Sequence, residues 1–369
     1  MLIVDLTLPE NLRSLQADAR SFARDWTQGL AIQEDSWVVG YSPEVTAALA
    51  QRGWIGMTWP REVGGGGRSE LERFIVFETL IAQGVPIAGA WIADRQIGPM
   101  LIKYGTPAQQ AKLIPEIISG RASWCIGMSE PDAGSDLSSI RTRADHVDGH
   151  YVISGQKIWT SGAMNADWCY LICRTEGAAP SHDGLSEFVL DMRLSGVDVR
   201  PIKDATGSEH FCEIYLDQVR IPDSAMVGSP DAAFRQTMRQ LEFERGGIDR
   251  LVSNRALYEA ALTRADMTDP RIRQTIGLLE CRYAIGRDMV LRNVLGQAPA
   301  GYSAVTKIFC TELEQEVADF AATVFGSDTL TTARLSRAWL YAPAYTIQGG
   351  TTTVLRNVVA ERVLGLPRR

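Results

Sequence analysis

The sequence predicts an α+β multidomain chain in which a helical block, a β domain and a second helical block follow one another. Three observations carry this. Helical periodicity with start signals fills residues 8–120, and short β-rich runs separated by Gly, Asp and Pro fill 121–228. Helical periodicity then returns after Pro230 and continues to Arg362. The domains are therefore set at 1–120, 121–228 and 229–369.

In the first block, Ser42-Pro43 and Thr106-Pro107 each place a hydroxyl at an N-cap and a proline in the first turn, where its missing N–H costs nothing. Ser69 with Glu72 has capping-box spacing ahead of Leu71, Phe74, Ile75 and Phe77. In the middle block, the runs YVISGQKIW, WCYLICR, SEFVLDM, GVDVRPI and HFCEIYLDQVRIP read as strands. No helix-length segment separates them, so they are expected to pair antiparallel in a small sandwich or barrel. In the last block, Asp269-Pro270 is another N-cap and first-turn pair, and Gly349-Gly350 breaks the helical pattern.

The 369 residues are 45% hydrophobic and 22% charged, which is ordinary for a soluble globular protein with two or three cores. The net charge of -7 comes from intermixed signs rather than a tail, so nothing favours a nucleic-acid partner. No apolar run reaches the ~18 residues of a spanning helix. The start MLIVDLTLPE lacks a signal peptide's basic region and long apolar core, which makes a cytoplasmic location the expectation, with no membrane partner. Six scattered cysteines and four histidines show no CxxC and no zinc spacing, so no metal is expected. A GxGxxG between strand and helix and a GxxxxGK[ST] are both missing, and Gly64 to Gly67 reads as a flexible turn.

Two segments concentrate the chemistry. Ile126-Gly127-Met128-Ser129-Glu130-Pro131-Asp132-Ala133-Gly134-Ser135-Asp136 sits where helix gives way to sheet. Its small residues and hydroxyls suit close approach of a polar ligand, and equally a plain interdomain turn. Gly155-Gln156-Lys157-Ile158-Trp159-Thr160-Ser161-Gly162 joins an indole to two hydroxyls at a strand end. That combination can position a planar redox ring, or be a core tryptophan beside a turn.

Together and in this order, the two segments resemble the acyl-CoA dehydrogenase family. WIADRQIGPMLIKYGTPAQQAKLIPEIISG, HFCEIYLDQVRIP and GGTTTVLRNVVAERVLGLPR extend the resemblance over nearly the whole chain. The resemblance implies a helical domain, a β domain and a C-terminal four-helix bundle, with FAD between the last two and an acyl-CoA thioester against the flavin. It further implies that Ile126, Met128 and Ser129 lie along the flavin and that Ser135 reaches the phosphates or the CoA. Trp159, Thr160 and Ser161 would cover the ring, and Thr351 and Thr353 would form a C-terminal flavin-contacting turn.

The chemistry requires a carboxylate to take the α-proton of the thioester. In many members it stands just before the Gly-Thr of the last motif, where this chain has Gly349. A subset similar to isovaleryl-CoA dehydrogenase and to actinobacterial steroid-type enzymes carries it early in the C-terminal domain. By that resemblance Gln240-Leu241-Glu242-Phe243-Glu244-Arg245 makes Glu244 the base, with Arg245 beside it and the Gly350 backbone near the substrate carbonyl. Glu242 lies two residues away, about 200° around a helix, and cannot share the site. An apolar cavity around Glu244 would raise its basicity by desolvation.

Two departures touch motifs that commonly hold FAD across subunits. ADMTDPRIRQTIGLLE lacks the family's Phe and Gly, and Thr323-Val324-Phe325-Gly326-Ser327 stands in place of a Gln-x-Phe-Gly-Gly turn. This resembles heteromeric steroid side-chain dehydrogenases, so a homo-oligomer and a heteromer with a paralogue are both expected arrangements. An electron-transfer flavoprotein is the expected electron acceptor. Two alternatives remain: oxidation of an acyl or aminoacyl group on a carrier protein, and a flavin-poor structural subunit.

Overall fold

The computed structural model describes residues 8–29 and 33–367. Most of the start that reads against a signal peptide therefore lies outside the described residues, as do the side chains of Glu242 and Phe243.

The first block folds as α1 (Glu10–Thr27), α2 (Ser36–Val39), α3 (Pro43–Gln51), α4 (Glu70–Ala82), α5 (Ala88–Ile92), α6 (Gly98–Tyr104) and α7 (Pro107–Ile118). Its start signals act as their chemistry requires. Ser42 Oγ accepts from Val45 N, and Ser69 with Glu72 and Thr106 with Gln109 close reciprocal capping boxes. Phe22, Trp54, Phe77 and Trp91 are fully buried at its centre. A single π turn, Ala93–Ile97, joins α5 to α6, and all five of its residues are buried, including Asp94 and Arg95.

Gly64 to Gly67 is not a flexible turn. Gly65, Gly66 and Gly67 donate to the carbonyls of Pro60, Gly56 and Trp59 at 2.9–3.0 Å, so the segment is strapped down. A Cβ at Gly66 would sit 2.7 Å from the Met57 carbonyl oxygen, and the glycines are there because the backbones touch.

The middle block forms β1 (Trp124–Gly127), β2 (Arg143–Val147), β3 (His150–Ser161), β4 (Trp168–Arg174), β5 (Leu185–Asp191), β6 (Val197–Ile202), β7 (Phe211–Pro222) and β8 (Met226–Val227). They make one eight-stranded sheet in the order β6-β7-β3-β2-β4-β5-β8, with β1 beside β4. Most pairs are antiparallel as expected, but β1 pairs with β4 parallel, and β2 touches β4 parallel through Arg143 and Arg174. The expectation of purely antiparallel pairing fails because the β2–β3 hairpin serves as the crossover that a helix would otherwise supply. Ile153, Leu171, Phe188, Ile214 and Leu216, drawn from both halves of the sheet, share one buried cluster, so the two halves fold over a common core.

The last block comprises α8 (Ala233–Arg245), α9 (Asp249–Val252), α10 (Arg255–Arg264), α11 (Pro270–Val294), α12 (Tyr302–Phe325), α13 (Asp328–Thr331), α14 (Ala333–Tyr345) and α15 (Thr352–Val358). Asp269 caps α11 as expected, accepting from Arg271 N. Helix α12 is the central member, with Leu313, Val317 and Ala318 buried against its neighbours. Among the described residues no helix is long and apolar enough to cross a membrane.

Ion pairs join the two helical blocks: Glu34 with Arg334, Asp35 with Arg337, and Glu78 with Arg287. Glu187 on β5 ties the sheet to α8. It is fully buried without a cation and accepts from Tyr170 Oη at 2.6 Å, Thr237 Oγ1 at 2.9 Å and Gln236.

Candidate active site

The two chemistry-bearing segments meet at the edge of the sheet. Ile158 N donates to the Ser129 carbonyl at 2.9 Å, and the fully buried Lys157 ammonium donates to Glu130 at 2.8 Å and to the Met128 carbonyl at 3.3 Å. Glu130 also accepts from the backbone of Arg141 and Thr142. Its carboxyl sits below the usual range: burial pushes it up, and Lys157 with the two N–H donors outweighs that.

A register shift between Lys157 and Thr160 makes a β-bulge in β3, and Trp159 adopts φ +59 within it. A tryptophan pays for a left-handed backbone only where the surroundings impose it. The consequence is an indole 55% exposed, braced edge-on by Phe211 at 5.7 Å. Thr160 next to it is buried, yet its hydroxyl has no partner among the described residues. Ser161 is half-buried at the strand end. An exposed ring with a stranded hydroxyl beside it fits a planar, hydrogen-bonding cofactor.

The second cluster forms where α8 ends. Glu244 is half-buried, and its Oε1 accepts from Arg250 Nη2 at 2.6 Å. Its setting is therefore not the apolar cavity expected, because a buried guanidinium stands against it. Arg250 in turn lies 3.4 Å from Asp249 Oδ2 and 3.4 Å from Gln348 Oε1, with its guanidinium over the Trp37 ring. Asp249 pairs with Arg95 from the π turn. Glu244, Arg250, Asp249 and Arg95 thus form a buried string of alternating charge.

Gly349 closes this cluster. A Cβ added there would lie 2.5 Å from Glu244 Oε1 and 3.2 Å from Arg250 Nη2, so the Glu244 carboxylate fills the space of the missing side chain. Arg245 Nε donates to the Gly349 carbonyl at 3.1 Å, and Lys307 Nζ to the Gly350 carbonyl at 2.9 Å. Lys307 is fully buried, which together with the neighbouring Arg250 lowers its ammonium to about 7.

The structure thus brings Ile126, Met128, Ser129, Trp159, Thr160 and Ser161 together, and separately Glu244, Arg245 and Gly350. Tyr341 lies between their neighbours, tilted against the His210 ring at 5.8 Å and accepting from Gln348 at 2.8 Å. Thr351 is occupied as the N-cap of α15, accepting from Val354 N. Thr353 and Ser135 are exposed and make no side-chain hydrogen bond among the described residues, so neither is drawn into these clusters by those contacts. Sequence reasoning missed Arg95, Asp249, Arg250 and Lys307. The available signal was charge at otherwise apolar positions, as in Ile248-Asp249-Arg250-Leu251-Val252.

Family profiles for the N-terminal, middle and C-terminal domains of acyl-CoA dehydrogenases match residues 9–121, 125–219 and 234–364. The chain belongs to the acyl-CoA dehydrogenase family. Members of this family are FAD-binding flavoproteins, in keeping with the exposed indole and stranded hydroxyl of β3. The chain is 35% identical over 335 residues to acyl-CoA dehydrogenase IpdE1 of Mycobacterium tuberculosis, covering 87% of this chain and 86% of that one. Among solved structures it is similar to the Tcur3481-Tcur3483 steroid acyl-CoA dehydrogenase, with TM-score 0.88, 29% identity, and 99% and 100% of the two chains covered. It is also similar to the ChsE4-ChsE5 complex of Mycobacterium tuberculosis, with TM-score 0.85, 25% identity, and 99% and 100% covered.

Proposed function

We propose that this acyl-CoA dehydrogenase forms the α,β double bond of an acyl-CoA thioester with Glu244 as the base. The observation that carries the assignment is the carboxylate of Glu244 lying where a side chain at Gly349 would lie. A base can reach one reaction centre from either backbone position, provided the other is vacated, and glycine vacates it.

In this reading Arg250 holds Oε1 of Glu244 and leaves Oε2 to take the α-proton. The α and β C–H bonds would break as the C=C bond forms, and FAD, when bound, would supply the acceptor for the β-hydride. Trp159, Thr160 and Ser161 would hold the flavin ring, with Ile126, Met128 and Ser129 beside it, Ser135 toward the phosphates or the CoA, and Thr351 and Thr353 at the C-terminal turn. Arg245 and Lys307 fix the Gly349-Gly350 turn, whose backbone faces the thioester carbonyl as charge develops on its oxygen.

The substrate is an acyl-CoA, and the two similar assemblies support a heteromer with a paralogous chain in which the altered turn at Thr323 to Ser327 is compensated by the partner. We further read an electron-transfer flavoprotein as acceptor and a cytoplasmic location. Anaerobic titration of the flavin-loaded protein with short, branched, long and steroid-like acyl-CoAs tests the activity. Bleaching of the flavin by at least one is expected, and a fully loaded protein that none of them bleaches would overturn the reading.

A further inference from the structure

A buried cation stands behind the Gly349-Gly350 turn. Lys307, on α12, is fully buried, and the Gly350 carbonyl at 2.9 Å is the one acceptor its ammonium reaches among the described residues. Arg245 Nε, at the end of α8, reaches the Gly349 carbonyl at 3.1 Å. Two successive carbonyls of one turn are therefore each held by a cation. A trans peptide points its C=O and N–H in opposite directions, so these cations leave the N–H groups of Gly350 and Thr351 facing away from them.

Those N–H groups are available. Gly349, Gly350 and Thr351 donate to no acceptor among the described residues, although the Thr351 hydroxyl is engaged in capping α15. Gly349 and Gly350 have φ +65 and +94, and all three residues are half-buried rather than sealed. Successive amides of a turn in this conformation make a concavity that suits negative charge. The Glu244 carboxylate lies against the same turn, in the space of the missing Gly349 side chain. Base and amide donors are thus side by side. A cation at the carbonyl end of a peptide polarises the unit and strengthens donation from its N–H end.

Facing Lys307 are Arg250 from α9, Glu244 and Arg245 from α8, and Glu312 from its own helix, which pairs with Arg356 of α15. Burial first and Arg250 next pull the ammonium down to about 7, against Glu244. A lysine so placed carries its charge in slightly acid solution and sheds it above neutrality. We propose that Lys307 is a positioning residue for the dehydrogenation, its charge acting through the Gly350-Thr351 peptide to strengthen the amide donors that receive the thioester oxygen as the α-proton leaves. The proposal rests on the dehydrogenase reading above. The α-proton goes to Glu244, and Lys307 neither gives nor takes one in the step.

The test follows the second-order rate of anaerobic flavin bleaching between about pH 6 and about pH 8.5, on flavin-loaded protein with the acyl-CoA that bleaches wild type best. That rate reports groups of the unliganded enzyme, so in wild type it is expected to fall about tenfold as pH rises through about 7. Lys307→Met is expected to be about tenfold slower than wild type at about pH 6 and flat across the range. Lys307→Gln, which keeps a neutral donor, should also be flat but faster than Lys307→Met. An acyl-CoA with sulfur in place of its β-carbon supplies a second readout, because it can lose the α-proton but has no β-hydride to give. Its enolate against the flavin is read as a long-wavelength absorption band, expected to weaken above neutrality in wild type and to be weak at every pH in Lys307→Met. A wild-type rate and band that do not fall above neutrality overturn the proposal with no variant needed. A fall that persists in Lys307→Met marks Lys307 as structural and likewise overturns it. If no ester bleaches the flavin at any pH, the dehydrogenase reading fails first, whereas bleaching without this pH dependence sinks this inference alone.

Discussion

At the scale of single residues, the account turns on how one carboxylate is supplied. Glu244 reaches its place because Gly349 leaves room and Arg250 holds one oxygen, so the two positions are coupled although 105 residues separate them in sequence. Gly349 has φ +65 and would press any Cβ to within 2.5 Å of Glu244 Oε1. Gly349→Ala should therefore displace the carboxylate and slow flavin reduction about 10²-fold, with FAD content unchanged. Stopped-flow bleaching checks this, and a rate equal to wild type would mean that Glu244 does not act from this position. Glu244 was singled out by the resemblance of the segment Gln240 to Arg245, while the guanidinium beside it was not. Arg250 belongs to the next helix, and the turn between α8 and α9 brings it back to a carboxylate six residues earlier.

Among the elements, the junction between β5 and α8 has the clearest pH signature. Burial drives the Glu187 carboxyl from 4.5 up to about 7, against the opposing hydrogen bonds of Tyr170, Gln236 and Thr237. Between those values the folded chain holds a proton that the unfolded chain has released. Its contribution to stability is thus complete below about 4.5 and is lost as pH rises through about 7. Glu187→Gln removes this titration, so the fall in urea midpoint between about pH 5 and about pH 8 should be shallower than in wild type. Identical slopes for the two proteins would contradict the assignment. The strands and helices themselves were largely legible, because caps such as Ser69-Glu72 and alternation such as that of β7 are local signals. The parallel pairing of β1 with β4, the bulge at Trp159 and the strapped glycines at 64–67 were not. Each is fixed by contacts between segments that local patterning does not encode.

For the whole molecule, the helical blocks are joined by charge as much as by apolar contact. Asp249 is fully buried between Arg95 of the π turn and Arg250, and Arg250 is shared with Glu244. Asp249→Asn should leave the buried Arg95 guanidinium uncompensated, Arg250 keeping Glu244, and cost about 3–5 kcal/mol, measured by urea unfolding. A loss below about 1 kcal/mol would show that the string of charges does not bind the blocks together. The same string ends on Glu244, so the contacts that join the N- and C-terminal blocks also hold the proposed base. The α, β, α order of the chain is what brings the π turn, the end of α8 and the Gly349 turn to one place. The most direct measurement is the anaerobic titration of flavin-loaded wild-type and Glu244→Gln proteins with the acyl-CoA that bleaches wild type best. The account predicts unchanged ligand binding with a flavin-reduction rate about 10³-fold lower in the variant, and a variant that bleaches as fast as wild type would contradict it.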